Sequence, residues 1–584
     1  MSNSSSKHSE TAKNLAGMVA HLARGFNIGF CLKKTGLAII GLLVANLLVV
    51  VLVSIFAPTL PPPEFSSESP PDSWPAHKLA WDRWNLWHEV AGVGENGPGS
   101  VLGLDDLCES FAEYNALSKA IADGKAFDAG VASQLAAARA KLESPINGVS
   151  QERAKAIGAR LGTPKPSNRL ATWVWFEDRG PNPVLAFGSP EQGGLFERFY
   201  TLVKSEITFA LEPVSKVLLP FYYLVHPSAS IGQRLFFLLV LGAIVSVWTL
   251  VGGMISRIAA LEYTRKQTIS LSKAFAYIKV RRENYLIAPW LPMVPGGVIL
   301  LGMVVFGFFH MIPWVGDILF SGLGWVVMLV SGLVLAVISL GLLGWPIMTV
   351  AISVDSDDAF AATTKPYSYL GQKGWLALGS GIFCTIYGSI CLIFLCWLGS
   401  IGIYLAKWGV SQTPGVVAVG RSPEFLFINA PTTFGWRTLL LDGARVDGNP
   451  VVENGAIQPT RLESYRESLT ANQRTGAFLA SGWLYLAVLP LIGVGYSLFW
   501  SFLTGIYLLL RRKVDDVEIR DIYLDEEDDP VFAPVVAPDY KPTSARSTEA
   551  KETGFGGGCG GGVQEPTKPG AISLSVLKGP NGGS

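Results

Sequence analysis

Charge is what this sequence has least of. Asp, Glu, Lys and Arg make up only 16% of its 584 residues, against about 25% in an ordinary soluble domain. What charge there is balances, with 46 basic and 46 acidic side chains, so no bulk potential argues for nucleic acid as a partner. Cysteine is equally uninformative about a disulfide framework. Cys384, Cys391 and Cys396 share one apolar run, where they read as small hydrophobes, and Cys108 is alone in its stretch of chain.

The motifs that carry chemistry are missing too. There is no G-x-x-x-x-G-K-[ST] phosphate cradle and no G-x-S-x-G elbow. His88-Glu89 is not followed by a second histidine four residues on, and the other histidines are scattered. The carboxylate pair Asp105-Asp106 reads as a solvated helix start, and Asp357-Asp358 as the start of a connector helix. The expectation is of no catalytic, cofactor-binding or metal residues, no cofactor, and no enzyme.

What is present is a set of long uncharged runs. A helix needs about 20 apolar residues to cross about 30 Å of hydrocarbon. Such runs predict spans over 35–57, 233–256, 287–311, 318–345, 375–404 and 475–510. Backbone groups in lipid must pair within their own segment, so each run should be helical. The last would be about 54 Å long as one helix, and Pro490 near its middle makes a hairpin of two short helices the alternative; a single long or kinked helix is favoured.

Basic residues set the expected orientation. Lys33 and Lys34 place segment 1–34 in the cytoplasm, and Arg511-Arg512-Lys513 does the same for the tail 511–584. The loop 257–286 carries Arg257, Arg265, Lys266, Lys273, Lys279, Arg281 and Arg282. It should be cytoplasmic, and these seven side chains are candidate contacts for anionic lipid. The connector 346–374 falls on the same side. Segments 58–232 and 405–474 then face outward.

The outer segment 58–232 opens with a proline-rich linker, and Trp81, Trp84 and Trp87 follow at spacing three. That spacing makes one helical stripe, read as a domain core or a membrane-facing apolar edge. Leu107 to Leu142 predicts amphipathic helices, and Trp173 to Arg179 a short strand running into the Gly180-Pro181 turn. Leu195 to His226, apolar but studded with charge, predicts an amphipathic helix along the outer interface, broken at Pro213 and Pro220. In 405–474, Phe425–Ile428, Leu439–Leu441 and Val451-Val452 suggest a small β element. The tail has an acidic run, Asp525 to Asp529, then Gly-rich low-complexity sequence expected to be disordered.

The two inward loops resemble each other: Ala274-Phe275-Ala276 precedes Tyr285-Leu286, and Ala359-Phe360-Ala361 precedes Tyr369-Leu370. This suggests a repeat in which Phe and Tyr dock a connector helix on the bundle base. The strings Glu177 to Pro183 (EDRGPNP), Trp248 to Leu261 (WTLVGGMISRIAAL) and Tyr507 to Asp516 (YLLLRRKVDD) resemble those of uncharacterised, planctomycete-like bacterial multi-span inner-membrane proteins. That resemblance implies membership and no activity.

The fold class expected is therefore mainly α: a polytopic transmembrane bundle of about six spans with an α-rich extracytoplasmic domain and a small β element. Its expected partners are membrane lipids, and proteins met through the outer domain or acidic tail. Uncharged spans argue against proton-driven transport. A non-enzymatic scaffold of the cell envelope is the leading expectation, and a permease or lipid-handling transporter for a neutral or amphiphilic substrate is the alternative. Reporters fused at Thr268 and after Ser584 should land on the same, cytoplasmic face; opposite faces would overturn this topology.

Overall fold

A computed structural model describes residues 2–524, apart from 58–60, 64, 66–69, 93–100, 122–137, 164, 166–168, 189–193, 417–421 and 454, with side chains from Leu15 onward except that of Pro71. The acidic run, the Gly-rich stretch, Cys559 and part of the proline linker lie outside the described residues. The chain opens with α1 (Ser2–Gly29) and α2 (Leu32–Phe56). The next group of helices is α3 (Trp74–Ala91), α4 (Leu104–Leu107), α5 (Phe111–Ile121) and α6 (Gln151–Arg160). Then come α7 (Pro183–Gly188), α8 (Leu195–Ala210), α9 (Glu212–Leu224) and the long α10 (Ile231–Arg265). After these follow α11 (Leu271–Ile287), α12 (Met293–His310), α13 (Trp325–Leu343), α14 (Trp345–Asp355) and α15 (Ala359–Ser411). The last helices are α16 (Trp436–Leu441), α17 (Pro459–Ser468) and α18 (Ala471–Val514).

Six helical stretches are long and apolar enough to cross a membrane: α2, α10, α11–α12, α13, α15 and α18. They coincide with the six runs read from the sequence. Two of them start on the same device. Ser230 accepts from the Gln233 amide while the Gln233 side chain accepts from the Ser230 amide, and Thr470 with Gln473 repeats the box at α18. The last span is one helix. Pro490 and Leu486, whose carbonyl the proline leaves free, lie on its exposed side, so the packed side through Val488, Leu489 and Ile492 continues unbroken.

The β element is smaller than the sequence suggested. β1 (Arg445–Val446) pairs with β2 (Asn449–Pro450), and β3 (Val452–Glu453) with β4 (Ala456–Ile457), both antiparallel. Asp447 and Gly448 turn the first hairpin with φ of 50° and 80°, the left-handed pair a two-residue turn needs. Phe425–Ile428 instead forms a tight 3-10 turn through Phe427, and Leu439–Leu441 belongs to α16. Residues 173–179 form turns, not a strand, because their carbonyls are taken elsewhere: Trp175 O accepts from the amides of Thr432 and Thr433, and Val174 O from Arg179.

Aromatic docking explains the repeated connectors. Tyr285 and Tyr369 are both fully buried, Tyr285 against Ser353 at 2.9 Å and Tyr369 donating to Asp515 at 2.6 Å. Phe275 and Phe360 are exposed, so the tyrosines dock and the phenylalanines do not. Each connector ends at a break before its span, a 3-10 turn at Ala288–Trp290 and a non-helical Lys373 inside α15. Asp358 caps the second connector, its carboxylate accepting from the Ala361 amide at 2.7 Å. The stripe on α3 is a core, with Trp81 and Trp84 buried and stacked at 5.5 Å. Its partner is Asp106, which is not solvated. That carboxylate accepts from Trp81 and Asn85 at 2.8 Å and pairs with Lys165 at 2.8 Å.

Glycine decides how closely the central helices approach. A Cβ on Gly252 of α10 would lie 2.3 Å from the fully buried Trp500 ring of α18, and one on Gly493 would lie 2.6 Å from Ile39 of α2. The α12–α13 pair is the opposite case: Val294, Val298, Leu301 and Phe308 are all more than 60% exposed. An apolar face of that extent is unsuited to water and suited to hydrocarbon. Gly252→Ala should cost about 1–3 kcal/mol through overpacking against Trp500. Gly302→Ala, which meets nothing within 4 Å, should cost nothing. Thermal unfolding in detergent, followed by tryptophan fluorescence, reads the difference.

Candidate functional site

The segment 169–183, the α8–α9 pair and the loop before α16 meet inside the bundle around one guanidinium. Arg179 donates from Nε and Nη2 to the two carboxylate oxygens of Glu212 at 2.7 and 2.9 Å. Its Nη1 donates to Val174 O at 2.7 Å and Thr433 Oγ1 at 3.0 Å, and Nη2 also pairs with Glu177. That uses all five donors of the side chain. Lys216 bridges Glu177 and Glu212 at 2.8 Å each, and the Tyr496 hydroxyl donates to Glu212 at 2.8 Å. The result is two cations, two carboxylates and a phenol, closed on itself.

The local fold follows from Pro213. Without an N–H it is tolerated in a first helical turn but breaks a helix interior, so α8 stops at Ala210 and α9 restarts at Glu212. The other expected break, at Pro220, does not occur; that residue stays inside α9. The pair is also packed into the bundle instead of lying along its outside. Leu202 packs with Ile393 of α15, Phe209 abuts Gly495 of α18, and Tyr223 stacks on Phe237 of α10 at 5.3 Å. Tyr496 and Trp248, which stack at 4.7 Å, lie near the middle of α18 and α10. Glu212 is held at that level.

Two cavities flank α9. On one side Glu212, Ser215, Lys216 and Leu219 face an open cleft of about 1250 Å³, which Trp173, Phe176, Asp178, Thr208 and Arg437 also line. On the other, Val214, Val217, Leu218 and Phe221 face an apolar pocket of about 260 Å³ closed by Trp290 and Trp345. The two sets have the same helical spacing, one turned from the other. The cleft lining carries four cations (Arg169, Arg179, Lys216, Arg437) against three carboxylates (Glu177, Asp178, Glu212). Its aromatic walls and near-neutral charge suit a molecule with both polar and apolar parts.

Glu206 adds a second, different acid. It is 2% exposed, and its Oε2 has no hydrogen-bond partner among the described residues. Burial pushes its carboxyl up to about 8, with Arg179 pulling the other way. Burial also opposes ionisation of Glu212, but Arg179 and Lys216 outweigh it and hold that carboxyl well below the usual range. Two carboxylates on adjoining helices are thus driven apart by their surroundings.

No family model, curated protein or solved structure matches the chain. The site therefore rests on its own geometry. Among the described residues no three His, Cys, Asp or Glu side chains form a group suited to a metal ion. His88 and Glu89 do not line the cleft that Asp178 lines; His88 is stacked on Trp84, and Glu89 pairs with Arg169 at 3.1 Å.

The seven basic residues of 257–286 do not form one surface. Arg257 is fully buried, donating to Ser353 O at 3.2 Å and Tyr523 O at 2.8 Å with its guanidinium 4.1 Å from the Tyr277 ring. Arg281 lies 3.9 Å from the same ring and bonds Ser356 at 2.6 Å. Arg257 is a strut between helices and has no face to offer a lipid, because α11 and α14 cover it. Arg265, Lys266, Lys273, Lys279 and Arg282 are exposed.

The network itself was hidden in the sequence. Arg179 and Glu212 are 33 residues apart, and the one signal, the EDRGPNP string, read as a turn. Glu212→Gln should destabilise the protein by about 3–5 kcal/mol, since it leaves Arg179 buried with half its ion pairing gone. Because the folded carboxyl is depressed, its contribution is complete above about pH 4.3 and is lost as pH falls toward the folded value. Melting curves across acid pH should show a steep acid limb in the parent and a flatter one in Glu212→Gln.

Proposed function

We propose that the chain is a multi-pass membrane protein that binds an amphiphilic solute in its outer cleft, as a permease or lipid-handling protein does. The observation that carries this reading is the buried network of Glu177, Arg179, Glu212 and Lys216, held at the middle of α10 and α18 and opening on a cleft of about 1250 Å³. Ionisable groups at such a level are expensive and mark solute paths. Irregular backbone is tolerated there only when buried in protein or lining a cavity.

In this reading the N- and C-termini are cytoplasmic, segment 58–232 forms an extracytoplasmic domain, and 169–183 dips from it into the bundle. A polar headgroup meets Lys216 and Arg437 in the cleft, and α9 separates it from the apolar pocket. The role proposed is binding and passage without catalysis.

A second reading, a non-enzymatic scaffold of the envelope, is favoured by the close Gly252–Trp500 packing and by the saturated bonding of Arg179. The two separate experimentally. Protein purified in mild detergent and examined by native mass spectrometry should retain one small molecule or lipid, and Thr208→Trp, which places a bulky ring in the cleft, should weaken that retention. A stoichiometric protein partner with no small molecule would instead establish the scaffold.

A further inference from the structure

A different cleft, of about 400 Å³, lies where α1, the end of α10 and the end of α18 converge. Arg24, Lys266, Arg512 and Arg520 line it, with Glu518 the one carboxylate and His21, Tyr263, Thr264 and Ile519 completing the wall. Four cations against one anion leave a formal charge of three. Among the described residues, none of the four makes an ion pair or a side-chain hydrogen bond. Three other cations on these and neighbouring helices are committed: Arg511 pairs with Asp355 at 3.0 Å, Lys365 with Asp515 at 3.1 Å, and Lys34 with Glu262, whereas Arg265 and Lys513 are exposed and pair with no carboxylate among the described residues.

Compensation of helix dipoles accounts for part of this, since Arg512 ends α18 and Lys266 caps α10 in a left-handed conformation. It does not account for Arg24, which lies before the last turn of α1, or for Arg520, which is outside any helix. One buried polar group in the wall is also unpaired. The Tyr263 residue is buried and its hydroxyl has no partner among the described residues. His21 contacts Gly505 O at 3.3 Å and stacks 5.0 Å from Tyr263. Burial, then Arg24 and Arg512, lower the His21 pKa, with the Gly505 contact opposing them. Like charges converging on one cleft repel, and an anion bound among them relieves that repulsion.

We propose that this cleft binds a phosphate-bearing anion, supplied either by an anionic phospholipid headgroup or by a soluble phosphate compound, and held jointly by Arg24, Lys266, Arg512 and Arg520. Phosphate matches the chemistry because its oxygens accept from several separate guanidinium and ammonium donors at once.

The test uses full-length protein in phosphatidylcholine nanodiscs, with phosphatidylglycerol as the lipid probe and inorganic phosphate as the soluble one, both scored by native mass spectrometry. Retention of either probe is expected, and which one is retained identifies the source. Arg24→Gln and Arg512→Gln should each weaken retention about fivefold, Arg24→Lys should restore most of it, and Lys279→Gln or Arg282→Gln on α11 should change nothing. Equal weakening by all the neutralising variants would mean diffuse surface attraction and overturn the proposal, as would retention of neither probe. Melting in phosphatidylcholine alone confirms folding of each variant, and Arg520→Gln, outside any helix, carries the same test if Arg24→Gln does not fold.

Discussion

Taking a guanidinium out of water is costly unless its donors find partners, and Arg179, with all five donors used, organises the interior of this protein. Its donors reach Glu212, Glu177, Val174 O and Thr433, which belong to three separate stretches of chain. None of these stretches has a reason of its own to enter a bundle of apolar helices. Together they do, because each supplies what the others leave unpaired. Asn182 extends the same arrangement, donating to Ser400 at 3.1 Å and to Phe434 O at 2.9 Å and so fastening the loop before α16 to α15.

The consequence is a bundle of two characters. Where Gly252, Gly493 and the tyrosines dock, the helices fill their own interior. Beside α8 and α9 they part and admit polar chain, and the open cleft sits at that boundary. An amphipathic helix with a polar cavity on one side and an apolar one on the other is a natural divider for a molecule with a head and a tail. The saturated network around Arg179 fixes the wall of that cleft.

The basic residues divide along the same physical line. Arg257 and Arg281 are spent on Tyr277 and on backbone carbonyls, whereas Arg24, Lys266, Arg512 and Arg520 are not spent on anything in the described chain. Counting positive charge along a loop cannot distinguish a strut from a docking group, since the difference lies in what the neighbouring helices cover.

Local features of the chain were enough to determine the six long apolar helices, the break at Pro213 and the stripe of Trp81 and Trp84, because hydropathy, helical spacing and missing N–H groups act within a few residues. They also hid the interior charge. The spans looked clean because the ions arrive from outside them, carried in by 169–183 and α9, and no periodicity links Arg179 to Glu212. The same limit explains the strand expected at 173–179 and the solvated role expected for Asp106. In both places the decisive hydrogen-bond partners are remote in sequence, so only the tertiary structure could assign them.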